Sequence, residues 1–147
     1  MFVNTTIRRC MVSDAPRIYA LCKSELGYDF TLEQIEANIR RQIGTKENLL
    51  LVVADQEDNA IAFIHAGNHD PVYAPPMKDI MALAVDPAYR KAGLGTQLIR
   101  AVEEWAVSTG AAGVRVNSGI EQENAVVFYK SLGYSYIKTV YNFRKMF

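Results

Sequence analysis

Few features of this chain are extreme, and each shortage argues against a class of protein. Two cysteines, Cys10 and Cys22, stand among 147 residues, too few and too poorly spaced for a disulfide framework or a cysteine metal cluster. No charge predominates: 16 Lys plus Arg face 16 Asp plus Glu, for a formal net charge of zero. That balance argues against a broad surface for nucleic acid or anionic lipid. The longest apolar runs, such as 49–54, fall far short of the roughly 20 residues needed to span a bilayer. Met1-Phe2-Val3-Asn4 shows no basic stretch followed by an apolar core, so no secretory signal is expected. A cytoplasmic protein with neither a nucleic-acid nor a membrane partner is expected. Two familiar phosphate-binding loops are missing as well. No Gly-x-x-x-x-Gly-Lys-Ser/Thr run occurs. In the dinucleotide pattern G-x-G-x-x-G, Gly93 and Gly95 are present, but Leu98 stands where the third glycine belongs.

Half of the residues are apolar, which argues for a packed core, and the length suits one domain over residues 1–147. Residues 5–10 read as a strand. Ser13 or Asp14 caps a helix with Pro16 in its first turn, and Ile18, Leu21, Cys22 and Leu26 form its apolar stripe. After a break at 27–30, Thr31 with Gln34 is a capping-box signature for a second helix carrying Leu32, Ile35, Ile39 and Ile43. Strands follow at 49–54 and 60–67, joined by a polar turn at 56–59. A proline-rich loop at 69–76 leads to a strand at 79–85. The next helix shows Leu94, Leu98, Val102 and Trp105 on one face. A strand at 114–117, a helix at 122–132 and one or two strands within 135–145 complete the chain. The expected class is α/β, in the sense of an α+β mixed sheet flanked by helices.

The densest signal is the junction from Val85 to Thr96. An apolar strand runs through Asp86-Pro87 into Arg90-Lys91-Ala92-Gly93-Leu94-Gly95-Thr96 and then into a helix. A helix start presents unpaired N–H groups and the positive end of the dipole. Glycines let an anion approach that backbone closely, and Arg90 and Lys91 add charge. The junction therefore suits a phosphate-bearing ligand.

Arg90-x-x-Gly93-x-Gly95, preceded by a strand and followed by a helix, resembles the coenzyme A loop of the GNAT superfamily of N-acetyltransferases. Further on, Asn124-Ala125-Val126-Val127-Phe128-Tyr129-Lys130-Ser131-Leu132-Gly133-Tyr134 resembles that family's later helix. The two motifs cover the second half of the chain; the first half matches only in its order of elements. The resemblance implies a GNAT-like acyl-CoA N-acyltransferase fold, with a mostly antiparallel twisted sheet split between its fourth and fifth strands and helices on both faces. It implies acetyl-CoA as co-substrate, no metal, and a small-molecule or peptide amine as acceptor. It also implies that the backbone of Leu83, Ala84 and Val85 pairs with the pantetheine arm. The pyrophosphate would rest on Arg90, Lys91, Ala92, Gly93, Leu94, Gly95 and Thr96, with Asn124 meeting the coenzyme arm.

Acetyl transfer needs a held coenzyme, a neutral amine, a stabilised oxyanion and a protonated leaving thiolate. By resemblance Tyr129 is the general acid, since a phenol is protonated near neutral pH. Helical spacing also suits Tyr129 as a core aromatic, and Asn124 as an N-cap. Many relatives carry a glutamate near positions 81 and 82, where this chain has Met81 and Ala82. Asp79, on the same strand, is the candidate base, or else a solvated strand-start residue. Strand alternation puts it on the face of Met81 and Leu83. His65, His69 or water are other bases. The two histidines, on a strand running into a loop, are about 13 Å apart, too far to share one ion. Relatives build the acceptor pocket from the loop between the first two helices and from loops near the sheet's split; by that resemblance Tyr28, Asp29 and Phe30 fall in the first and Tyr73 in the proline loop, with Asp29 either drawing a cationic amine or standing as an exposed turn residue. Two other functions remain open: a non-catalytic acyl-CoA-binding module or sensor on the same fold, and a nucleotide-binding regulator. An apolar strand at 141–147 suits pairing with a second copy as a homodimer.

Overall fold

The computed structural model describes residues 4–119 and 123–147. The chain forms two compact units, Met1–Val116 and Asn117–Phe147. The first holds β1 (Thr6–Arg9), α1 (Ala15–Glu25), α2 (Leu32–Gln42), β2 (Asn48–Ala54), β3 (Ala60–His69), β4 (Met77–Val85), α3 (Leu94–Ser108) and β5 (Val114–Val116). The second holds α4 (Glu123–Ser131).

The five strands lie in chain order. β1 to β4 pair antiparallel, and β5 joins β4 in parallel. β5 matches only Lys78, Ile80 and Asp79 between them, so the sheet opens beyond Ile80, as a split at the fourth and fifth strands requires. Both faces are covered. Ile18, Leu21, Ile35 and Ile39 of α1 and α2 pack with Leu50, Val52, Phe63 and Ala84 from one face. On the other face the Lys78 ammonium of β4 stands 4.0 Å from the ring centre of Trp105 in α3. α3 buries Leu94, Leu98, Ile99, Val102 and Ala106, a wider stripe than the four positions read from the sequence.

Local chemistry explains the element ends. Thr31 Oγ1 accepts from the Gln34 amide and Gln34 Oε1 accepts from the Thr31 amide, both at 3.2 Å, so the capping box forms as expected. The β2–β3 turn has no Asn-Gly. Asp55 Oδ1 instead accepts from the amides of Glu57 and Asn59, both at 2.9 Å, while Asp58 takes the left-handed conformation at φ 64°. Asp14 does stand at the α1 N-cap, yet its carboxylate makes no cap bond. It reaches back to the Met11 amide and takes a two-pronged contact from Arg8 at 2.8 and 2.9 Å.

One expectation fails. No strand forms within 135–145, nor at 141–147, among the described residues. Alternating apolar residues report a propensity, but a strand exists only against a hydrogen-bonding neighbour. The expected start of the last helix at Gln122 lies outside the described residues.

Burial pushes the Asp14 carboxyl up, but the guanidinium of Arg8 and the Met11 amide outweigh it and hold the group below the usual carboxylate range. Asp14 therefore contributes stability that is present above its unfolded pKa and fades as pH falls through the lower folded value. Arg8→Met, which strands a buried carboxylate, is expected to cost about 3 kcal/mol at pH 7. Urea unfolding should show the gap to wild type narrowing below about pH 4, where the unfolded carboxyl protonates.

Candidate functional site

The site begins where β4 ends. Asp86 Oδ1 accepts from the Ala88 amide at 2.9 Å, and residues Pro87–Tyr89 make a single 3-10 turn. The backbone then enters the left-handed region twice, at Lys91 (φ 65°) and Gly93 (φ 80°). Gly93 is the N-cap of α3 and supplies no side-chain cap. The amides of residues 91–96 meet no protein acceptor among the described residues. A Cβ built on Gly93 would touch nothing within 4 Å, so the approach to this backbone is open. Unpaired donors thus gather at the positive end of a 15-residue helix.

The flanking cations behave differently from each other. Arg90 is joined to Glu25, at the end of α1, by an ion pair. Lys91 is exposed and has no ion-pair partner among the described residues. Gly95 and Thr96 lie in the first turn of α3, half-buried, and Ala92 is exposed.

Leu83, Ala84 and Val85 pair with Ile64, Phe63 and Ala62 of β3. Their other backbone edge has no strand partner among the described residues. A bulge interrupts this pairing: His65 faces Ala82 while Ala66 faces Ile80, leaving Met81 as the extra residue. Asp79 is opposite Gly67 and Leu83 opposite Ile64. Positions 64 and 67 are an odd number of residues apart, so Asp79 and Leu83 lie on opposite faces. The expectation that simple alternation puts them on one face is corrected by the bulge. Met81 does share the face of Asp79, since its methyl would lie 2.5 Å from a Cβ on Gly67.

Asp79 Oδ1 accepts from Arg115 Nη1 at 3.2 Å, and the same nitrogen lies 3.1 Å from His69 Nδ1. His65 is half-buried, with Nε2 2.8 Å from Asn48 Oδ1. Burial lowers the His65 pKa below its ordinary value, so the ring is neutral near pH 7. His65 and Ala82 line a cavity of about 390 Å³ between the sheet and α1 and α2, with Tyr28, Asp29 and Phe30 also on its wall. The loop residues read as an acceptor pocket are thereby brought to one cavity with His65; Tyr73 does not line it. Asn48, Arg115 and Glu25 were missed. Val114-Arg115-Val116 did signal a sided strand, but nothing local named the partner of Arg115.

In the second unit, Asn124 lies inside the first turn of α4 and is exposed. Tyr129 is half-buried; its ring meets Phe128 at 5.2 Å and Tyr134 at 5.8 Å, both edge-on. Its hydroxyl has no hydrogen-bond partner among the described residues. Burial raises the phenol pKa, which keeps the proton on at neutral pH. The Tyr129 carbonyl accepts the amides of Leu132 and Tyr134, closing the helix before Gly133 at φ 94°.

The model of the acetyltransferase (GNAT) family matches residues 15–134. The chain belongs to the GNAT acetyltransferase family. It is 35% identical over 68 residues to an uncharacterized N-acetyltransferase of Methanocaldococcus jannaschii, a match covering 46% of this chain and 30% of that protein. Among solved structures, it resembles an aminoglycoside antibiotic 6'-N-acetyltransferase from Acinetobacter baumannii. The TM-score is 0.84, with 21% identity over 98% of this chain and 99% of that one. An aminoglycoside N-acetyltransferase in complex with CoA gives a TM-score of 0.86 at 20% identity, over 99% of this chain and 97% of that one. At such identities the structures establish a shared fold. Among the described residues, no helix of this GNAT protein is long and apolar enough to cross a membrane.

Gly93→Ala is expected to lower stability by about 1 kcal/mol, because a side chain is strained at that positive φ although space is available. Urea unfolding of the two proteins measures the difference.

Proposed function

We propose that this chain is an acetyl-CoA-dependent N-acetyltransferase that moves the acetyl group from the thioester to a primary amine by direct attack in a ternary complex. The observation that carries this is the row of amides at 91–96 with no protein acceptor among the described residues, following a strand whose outer edge has no strand partner there from Met81 onward. A diphosphate suits the first and an amide-bearing arm suits the second. Lys91, Ala92, Gly93, Leu94, Gly95 and Thr96 would hold the phosphates. Leu83, Ala84 and Val85 would pair with the arm, and Asn124 would add a contact. Arg90, ion-paired with Glu25, would meet the phosphates with those of its guanidinium N–H groups that the pair leaves available. When bound, the coenzyme supplies an activated acetyl group.

Tyr129 serves as the acid that protonates the departing sulfur, a role its burial-raised pKa favours. The proton acceptor is Asp79, His65 or water. The acceptor is a small-molecule or peptide amine entering the cavity beneath Tyr28 and Phe30. A homodimer would form through the exposed apolar side chains Tyr141, Phe143, Met146 and Phe147 rather than through a paired strand. One observation favours a non-catalytic acyl-CoA sensor: Met81 and Ala82 stand where many relatives carry a glutamate.

Calorimetric titration should show Gly93→Asp weakening CoA binding at least tenfold in a folded protein, through crowding and charge. An unchanged dissociation constant would remove the loop from the coenzyme site. Tyr129→Phe should lower kcat about 100-fold with CoA affinity unchanged, as thiol release reports. Equal turnover in the two proteins would end the acid role, and CoA binding without acetylation of any amine would favour the sensor.

A further inference from the structure

Resting on the acetyltransferase function above, we propose that the cavity between the sheet and α1 and α2 accepts a primary monoamine on an apolar, aryl-sized body, with His65 taking up its proton.

The cavity wall is mainly hydrocarbon. Ile18, Leu26, Ile35, Ile39, Leu50 and Phe63 all contribute to it. Among the lining residues Asp29 is the one carboxylate, and it stands between Tyr28 and Phe30, both exposed large aromatics (62% and 41%). A polycationic amine would bring several ammonium groups to a wall offering one compensating charge, and each uncompensated group is costly to desolvate. A single amine on an aromatic or branched aliphatic body matches the wall instead. Its apolar part meets hydrocarbon, and two exposed rings are available to cover it. At about 390 Å³ the cavity is at the small end of ligand sites.

The hydrogen-bond chain behind His65 sets its tautomer. The Thr45 hydroxyl donates to the Gln42 carbonyl at 3.2 Å, so its oxygen accepts from Asn48 Nδ2 at 3.0 Å. Asn48 therefore presents Oδ1, an acceptor, to His65 Nε2 at 2.8 Å. Nε2 must carry the hydrogen, and in the neutral ring Nδ1 keeps its lone pair. Nδ1 has no partner among the described residues. The ring is neutral near pH 7 because burial lowers its pKa. The other titratable groups on the cavity wall are Cys22, Tyr28 and Asp29. Burial raises the Cys22 thiol, keeping it protonated, and farther along the same sheet face Asp79 and His69 each bond to Arg115. His65 is thus a base with a fixed lone pair, opposite Ala82 and one residue from the proposed arm-binding backbone.

In the reaction, His65 Nδ1 takes one proton from the ammonium group. The neutral nitrogen then bonds to the acetyl carbonyl carbon as the carbon–sulfur bond breaks. Tyr129 gives its proton to the sulfur, the second nitrogen proton makes good that loss, and His65 returns its proton to solvent. The products are the amide and free CoA.

The test measures thiol release from acetyl-CoA with 2-phenylethylamine, tryptamine, spermidine and kanamycin. At least a tenfold higher kcat/KM for the two aryl amines is expected; preference for spermidine or kanamycin overturns the proposal. His65→Ala should lose about 100-fold in kcat with unchanged CoA affinity and recover part of it on adding imidazole. Should that variant not fold, His65→Gln, which keeps a donor for Asn48, is expected to show the same loss. Activity within threefold of wild type in either folded variant ends the role of His65. A separate readout needs no turnover: 2-phenylethylamine should slow maleimide alkylation of Cys22, followed by mass spectrometry. If CoA binds but no amine releases thiol, the acetyl-transfer function and the role of His65 fall together. Protection of Cys22 then still supports the amine site, and its absence overturns it.

Discussion

Strand β4 is hydrogen-bonded along its whole length on one edge and for only three residues on the other. That asymmetry organises the site. Where β5 departs after Val116, the backbone of β4 from Met81 onward has donors and acceptors that no strand of the described structure satisfies. Such an edge in most folds is a liability to be covered. Here it leads, through the bonded turn at 86–90, to a loop whose amides at 91–96 meet no protein acceptor among the described residues. The two stretches, 81–85 and 91–96, are separated by the hydrogen-bonded turn at 86–90, a spacing that suits a long ligand with an amide-bearing arm and an anionic end.

The chemistry of that loop belongs mainly to the backbone. The chain has no net charge, and one of the two cations beside the loop is paired with Glu25. What remains concentrated is the set of N–H groups at the start of α3, aimed by the left-handed turns at Lys91 and Gly93. A non-glycine residue at positive φ costs of the order of 1 kcal/mol, and Lys91 accepts that conformation where a ligand would meet the loop.

Features set by neighbours in sequence were legible before the fold was known. The capping box of Thr31 and Gln34, the stripe of α3 and the glycine junction each depend on residues within a few positions. Features set by register were not. The bulge at Met81 shifts every later side chain of β4 to the other face, and no local pattern announces it, because Ala82 and Ala84 are small enough to suit either side. The partners of Asp79, His65, Asp14 and Arg90 are Arg115, Asn48, Arg8 and Glu25. Each became identifiable only once strands and helices were laid side by side. The strands expected within 135–145 failed for the complementary reason: alternation was present, but no ladder pairing forms there among the described residues.

The same long-range pairs connect the cavity to the loop. Helix α1 carries Ile18 and Cys22 on the cavity wall. Arg17, next to Ile18, contacts Asp86 at 3.3 Å and donates to the Ala60 carbonyl at 3.0 Å, while Glu25 at the other end binds Arg90. Asp86 and Arg90 bracket the turn that leads into the loop. Exposed ion pairs of this kind contribute at most about 1 kcal/mol each, so their main effect is on geometry rather than stability. Through these two contacts the turn at 86–90 and one wall of the cavity share a single helix, α1.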